Sequence, residues 1–115
     1  MLGKKEDQAR QGVQGLRGGV GETGKIALFG DAALPWNLKL AAILELEPGV
    51  SIGQHDHTGE WELFYLLEGE LHGLEMGREI VLRPGDSTLT GGGQEHRLEN
   101  RGTAVARVLA VIAKA

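Results

Sequence analysis

The sequence predicts an all-β domain of the barrel or sandwich type. Short apolar runs recur between Leu38 and Ile112, and turn signals separate them about every eight to twelve residues. No segment carries a helical period long enough to compete with this pattern. At 115 residues, with 41% hydrophobic and 24% charged residues, the chain has the size and composition of one globular domain with a modest core.

The individual strands follow from the apolar runs and the turns between them. We predict a first strand at 25–29, a connection at 32–37 around Pro35, and a core strand at 38–46 that ends at Pro48-Gly49. Gly77 is placed for a hairpin turn. The remaining predicted strands are 60–68, 71–76, 78–82, 87–90, 96–100 and 105–112.

Composition excludes several classes of function. The net charge of -4 and the absence of a basic patch argue against a nucleic-acid partner. The chain has no cysteine, so any metal must be held by nitrogen and oxygen atoms. No apolar run is long enough to span a membrane or to act as a signal core, which predicts a cytoplasmic protein without a membrane partner.

The segment from Gly12 to Gly24 is rich in glycine. A phosphate-binding loop would require a Gly-Lys-Ser/Thr ending after a strand, and Gly24-Lys25-Ile26 lacks the hydroxyl residue. We therefore interpret the segment as a mobile arm or an arm that follows the edge of a sheet, preceded by a polar tail or short surface helix at 1–11.

The stretch from Gly49 to Gly69 concentrates metal-binding residue types. His55 and His57 share a face of an extended strand, so both can reach one ion. Glu62 has the wrong parity to share this face in an unbroken strand. A turn or bulge at Thr58-Gly59 would bring its side chain back to the face of His55 and His57. Glu60 lies on the same face and is the competing candidate.

Two motifs in this chain resemble those of the cupin superfamily. The first consists of Gly49, His55, His57, Glu62 and Gly69, and the second of Gly85, Gly91, Gly93, His96 and Asn100. The family usually has Pro where this chain has Gly91, so we expect a looser turn there. Fifteen residues, Glu70–Pro84, separate the motifs. We interpret Gly69 and Asn100 as turn and packing positions rather than as ligands.

The resemblance implies a cupin-type double-stranded β-helix, a jelly-roll-like barrel, at 25–115, and an N-terminal arm at 1–24 that is flexible or contacts a partner subunit. It also implies one divalent metal ion per chain (Mn, Fe, Ni, Co or Zn), held by His55, His57, Glu62 and His96. Cupins commonly form homodimers in which N-terminal segments are exchanged or laid against the partner, and 18–30 is the corresponding segment here.

The surroundings of this site give further expectations. Phe64 and Leu66 share the face of Glu62 and should form an apolar pocket floor, whereas Trp61 faces away and is a candidate for a subunit interface, as Trp36 is for an interface or the pocket. His72 reads as a surface or rim residue. Four nearby polar residues have the wrong parity to serve in acid-base chemistry at the site: Gln54, Tyr65, Glu95 and Arg97.

Three functions fit these observations. A centre of three imidazoles and one carboxylate on a divalent ion carries a charge near +1 and suits a small oxygenated anion, such as a carboxylate or a sugar derivative. The chain is then a metal-dependent dioxygenase, decarboxylase or isomerase. The alternatives are a ligand-binding or sensor module without turnover, and a structural dimer that the metal stabilises.

Overall fold

The computed structural model describes residues 1–30 and 33–115, and these residues form two packed antiparallel sheets. A six-stranded sheet has the order β1-β2-β3-β10-β5-β8, and a four-stranded sheet has the order β4-β9-β6-β7. The strands are β1 (Arg10–Gln14), β2 (Glu22–Ala27), β3 (Leu38–Leu46), β4 (Ser51–Asp56), β5 (Glu60–Glu68), β6 (Leu71–Glu75), β7 (Arg78–Leu82), β8 (Ser87–Gly91), β9 (Glu95–Glu99) and β10 (Ala106–Lys114).

The core lies between the sheets and is built from alternating positions. Leu44 on β3, Phe64 on β5 and Val108 on β10 face inward from the larger sheet. Leu71 on β6 and Leu98 on β9 face them from the smaller sheet. Because side chains of a strand alternate between its faces, every second residue is buried along much of β3, β5, β9 and β10, as the predicted all-β barrel requires.

The predicted strands from Leu38 onward agree with the structure to within two residues. The N-terminal prediction was wrong in one respect, because the first strand is β1 (Arg10–Gln14) and β2 begins at Glu22, before the predicted start at 25. Strand β1 has few apolar side chains, and its backbone pairing to β2 defines it, with Gly12 opposite Gly24. The division of the chain after residue 24 stays a prediction, and residue 32 of the predicted connection lies outside the described residues.

A 3-10 turn at Leu16–Gly18 joins β1 to the approach to β2 and packs on β4. The backbones there are in close contact: a Cβ atom on Gly53 would overlap the carbonyl oxygen of Arg17, and one on Gly19 would overlap that of Ser51. The Val20 amide donates to Ser51 Oγ at 2.9 Å. The N-terminal segment is therefore held against the smaller sheet by backbone contact.

The departure from the cupin pattern at Gly91 has a packing reason. Gly91 is the last residue of β8 and pairs with Trp61 on β5. A Cβ atom at this position would overlap the indole ring. The expectation of a looser turn was wrong, because Gly91 is a buried strand residue that accommodates the Trp61 side chain.

The two positions that the sequence assigned to turns and packing have that role. The buried amide of Asn100 donates to the carbonyl oxygens of Leu46 at 2.8 Å and Ala104 at 2.9 Å, and its oxygen accepts from the Gly102 amide. Gly69 has φ +83° beside the backbone of Val105 and Ala106. Both positions fix loops next to the core.

Candidate metal centre

A cluster of three imidazoles and one carboxylate lies between the two sheets. His55 is on β4, His96 is opposite it on β9, and Glu62 projects from β5 of the other sheet. His57 follows the end of β4, where the Gly93 amide donates to its carbonyl oxygen at 2.8 Å. His57 and His96 are 0% and 1% exposed, and Glu62 is 3% exposed.

Two local irregularities bring these residues together. The register between β4 and β9 shifts between Ile52 and His55, so a bulge places His55 directly opposite His96. The chain then bends at Thr58-Gly59, where Gly59 has φ +73°. The bend that the sequence required to restore the face of Glu62 is present.

The donor atoms have the separations of neighbouring ligands on one ion. His96 Nε2 lies 2.9 Å from His57 Nε2 and 2.9 Å from His55 Nε2. Glu62 Oε1 lies 2.8, 2.9 and 3.4 Å from the Nε2 atoms of His57, His96 and His55. Ligands at right angles on an ion with bonds of about 2.1 Å lie about 3 Å apart. The four donor atoms lie within 4.8 Å of one another.

Hydrogen bonds at Nδ1 orient two of the rings. His57 Nδ1 donates to Glu60 Oε1 at 2.7 Å, and His55 Nδ1 donates to the Gly53 carbonyl at 2.7 Å. In the neutral rings, Nε2 then carries a lone pair that points into the cluster. Lone pairs on nitrogen and a carboxylate oxygen repel one another at such distances unless a cation lies among them, so the donor set fits a metal ion.

Glu62 supplies the negative charge of the cluster. Burial raises the pKa of its carboxyl group, but hydrogen bonds that His55 and His96 donate when their rings carry a proton at Nε2 outweigh burial and bring the pKa down to about 2. The group is therefore ionised at neutral pH. Glu60, the competing candidate, instead binds His57 Nδ1 and accepts from Lys39 Nζ at 2.9 Å, which is the position of a residue that orients a ligand.

The third ring has a different neighbour. His96 Nδ1 is buried and has no hydrogen-bond partner within the described part of the chain; the Glu75 carboxylate lies 3.7 Å away. That carboxylate accepts from Thr90 Oγ1 at 2.7 Å. The ring of His96 stacks on Phe64 with centroids 4.9 Å apart. Packing, more than hydrogen bonding, therefore fixes this ring.

A cavity of about 220 Å³ reaches the cluster at His55 and Glu62. Phe64 lines it as predicted, whereas the more deeply buried Leu66 is not among its described lining residues. The four polar residues that were judged to have the wrong parity are also absent from its described lining: Gln54, Tyr65, Glu95 and Arg97. Sequence reasoning missed a set of lining residues that come from the 3-10 turn, β2 and β3: Leu16, Arg17, Lys25, Lys39 and Leu40. No local pattern marks them, because contacts between segments distant in the sequence bring them to the cavity.

The remaining candidates lie away from the cavity. His72 is partly exposed and pairs with Glu70 at 3.2 Å. Trp61 is 44% exposed and Trp36 is 77% exposed. The sequence brought the four metal candidates into one group, and the structure groups the same four; their role as ligands stays a prediction. Among the described residues, no helix is long and apolar enough to cross a membrane.

Comparison with known proteins places this geometry in a family. The chain is 36% identical over 100 residues to the oxalate-binding protein of Thermotoga maritima, covering 87% of this chain and 83% of that protein. It is 39% identical over 66 residues to the tetracenomycin polyketide synthase protein TcmJ of Streptomyces glaucescens, covering 57% of this chain and 44% of that protein.

A solved structure agrees over the whole length. A crystal structure from Thermotoga maritima, described as a "predicted oxalate decarboxylase", superposes with a TM-score of 0.93 at 32% identity and covers 100% of both chains. The model of the cupin domain family matches residues 42–112, which include both motifs. With its jelly-roll barrel and its cluster of three histidines and one glutamate, the chain belongs to the cupin family.

Proposed function

We propose that this protein binds one divalent transition-metal ion through His55, His57, Glu62 and His96, and that the ion binds a small carboxylate such as oxalate. The observation that carries the proposal is the convergence of three Nε2 atoms and one ionised carboxylate oxygen, most of them 2.8 to 2.9 Å apart. Mn, Fe, Ni, Co and Zn all accept such nitrogen and oxygen donors.

The charge of the centre favours an anionic ligand. Three neutral imidazoles and the Glu62 carboxylate leave a divalent ion with a net charge near +1. An octahedral ion would keep two adjacent positions, which suit an anion with two oxygen donors. The oxalate-binding relative supports this choice, and so does the cationic part of the cavity wall.

The cavity favours binding over proton-transfer chemistry. Apart from the cluster, the titratable groups among its described lining residues are Arg17, Lys25 and Lys39. These are cations at neutral pH, and none supplies the carboxylate or imidazole that general acid-base catalysis most often uses. We therefore propose a ligand-binding function ahead of a dioxygenase, decarboxylase or isomerase.

Metal reconstitution followed by calorimetry tests the proposal. The chain is stripped with a chelator, loaded with Mn²⁺ and titrated with oxalate. We expect about one ion per chain and oxalate binding that requires the ion, with both lost in the double variant His55→Ala, His57→Ala. No uptake of Mn²⁺, Fe²⁺, Co²⁺, Ni²⁺ or Zn²⁺ would overturn the metal centre, and uptake without oxalate binding would overturn the ligand.

The same sample separates binding from turnover. Oxalate is measured over hours in the presence of the loaded protein, and a constant concentration is expected of a binding module. Loss of oxalate with the wild type, absent with the double variant, would assign an enzyme instead.

We also propose that two copies associate through the outer face of β5 and β8. Large apolar side chains are exposed there: Trp61 (44%), Tyr65 (41%), Leu67 (41%) and Leu89 (58%). Strand β8 is an edge of the six-stranded sheet, which adds unpaired backbone groups. The contact of 18–30 with a partner subunit, by exchange or by packing, stays a prediction.

Sedimentation tests this association and the structural alternative together. The wild type is expected to sediment as a dimer with or without chelator, and Trp61→Glu as a monomer that still binds metal. A monomeric wild type would overturn the dimer. A dimer that dissociates with chelator would favour the metal-stabilised structural role.

A further inference from the structure

The cavity that reaches the metal cluster has a second wall with a different origin. Leu16 and Arg17 come from the 3-10 turn, and Lys25 comes from β2. His55 and Glu62, two members of the cluster, line the same cavity. A ligand that occupied this cavity would therefore meet N-terminal residues as well as the centre.

Three cationic residues line the cavity, Arg17, Lys25 and Lys39, and their surroundings differ. Lys39 Nζ is paired with Glu60 Oε2 at 2.9 Å, and Glu60 in turn binds His57. Within residues 1–30 and 33–115, no carboxylate forms an ion pair with Arg17 or Lys25. Glu62, the carboxylate among the described lining residues, is already in contact with three imidazoles. Arg17 and Lys25 thus leave positive charge beside the cavity unbalanced.

Arg17 holds its position against its own backbone preference. Its φ of 55° and ψ of 30° lie in the left-handed region that glycine adopts without strain, and Gly15 and Gly18 around it also have positive φ. Contact of its carbonyl oxygen with Gly53 keeps the turn in place. A large cationic side chain therefore stands where the local conformation favours glycine, which is a pattern found at functional positions.

We propose that Arg17 and Lys25 form a subsite for the outward acidic oxygens of the ligand and thereby select dianions. This rests on the proposed metal-dependent binding of a small carboxylate. A dianion on a centre of charge near +1 retains a net negative charge, and the two cations line the same cavity as the centre. The guanidinium of Arg17 can donate two parallel hydrogen bonds to the two outward oxygens, whereas Lys25 contributes a point charge.

The size of the cavity sets a limit on the ligand. Its volume of about 220 Å³ corresponds to about seven waters, at about 30 Å³ each. Oxalate has six non-hydrogen atoms, and a short dicarboxylate such as malonate also fits. The cavity is therefore large enough for a small dicarboxylate.

The test compares two chelating anions that differ in charge. Oxalate and glycolate are each titrated calorimetrically into Mn²⁺-loaded wild type, Arg17→Gly, Arg17→Lys and Lys25→Gln. We expect Arg17→Gly to weaken oxalate binding roughly 10-fold and glycolate binding less than about 3-fold, because one charge-assisted contact is lost only for the dianion. Arg17→Lys should keep part of the affinity. Arg101→Gln, which removes a cation outside the cavity lining, is the charge-matched control.

Each outcome decides the question. Equal oxalate affinity in Arg17→Gly and wild type would overturn the subsite and leave the metal-dependent function standing. Equal losses for oxalate and glycolate, or for the Arg101→Gln control, would assign the effect to general attraction and overturn selection. A parallel loss of Mn²⁺ affinity would place the effect on the centre, through Gly53 and His55, and also overturn the proposal. Failure of the wild type to bind oxalate would overturn the proposed function itself.

Discussion

The two walls of the cavity are built in different ways. The wall formed by β4, β5 and β9 consists of buried side chains whose positions follow from strand register and two motifs. The wall formed by the N-terminal segment consists of exposed or half-buried residues that glycine contacts hold against β4. The difference indicates that the capacity to bind an ion and the choice of ligand are encoded in separate parts of the chain.

Removing one metal-binding side chain should have the largest effect. It should affect only the wall formed by β4, β5 and β9. His96→Ala deletes an Nε2 atom that lies 2.9 Å from two other donors. We expect metal affinity to fall at least roughly 100-fold, as measured by metal titration. The matched control is His72→Ala, because His72 is the one histidine outside the cluster. Metal loss in both variants, or in the control alone, would contradict the assignment.

Acid should destabilise the same wall, because Glu62 becomes protonated. Its pKa is about 2 in the folded protein against an ordinary value of 4.5, so the stabilisation by its charge is complete above about pH 4.5 and is lost as the pH falls toward 2. The difference corresponds to about 3 kcal/mol. We expect the metal-free wild type to lose more unfolding free energy between pH 5 and pH 2 than Glu62→Gln. Parallel curves from urea titrations at several pH values would contradict this.

A glycine substitution should affect the second wall. Gly53→Ala places a methyl group against the carbonyl oxygen of Arg17. We expect the free energy of unfolding to fall by about 2 kcal/mol, and cleavage by trypsin after Arg17 to become faster. The control is Gly30→Ala, because no described atom lies within 4 Å of a Cβ atom there. Wild-type protection of Arg17 in Gly53→Ala would show that the contact does not hold the segment.

The smallest of these effects should come from Glu60, which links His57 of the metal cluster to Lys39 on β3. Glu60 binds His57 Nδ1 at 2.7 Å and also holds Lys39, which lines the cavity. Glu60→Gln keeps the shape but removes the charge, so we expect roughly a 10-fold loss of metal affinity. Glu68→Gln, an exposed change on the same strand, should have no effect. Equal affinities in the two variants would remove Glu60 from the support of the centre.

The sequence was informative where side chains define the structure. Alternation predicted β3 and β5 with their observed bounds, and motif spacing grouped His55, His57, Glu62 and His96. It was uninformative where backbone pairing defines the structure, as in β1, whose polar residues lack an apolar period. Arg17 and Lys25 were also missed, since packing of the 3-10 turn on β4 and the order of strands in the sheet, rather than any local spacing, bring them to the cavity.

The contact between Trp61 and Gly91 makes substitutions in one motif depend on the residue present in the other. The indole ring occupies the space that any larger side chain at position 91 would need. The proline usual in the family at this position would therefore require the indole ring to move or a smaller residue to replace it at position 61. Substitutions at positions 61 and 91 are therefore coupled, because the residue at either position limits which residues the other can accept.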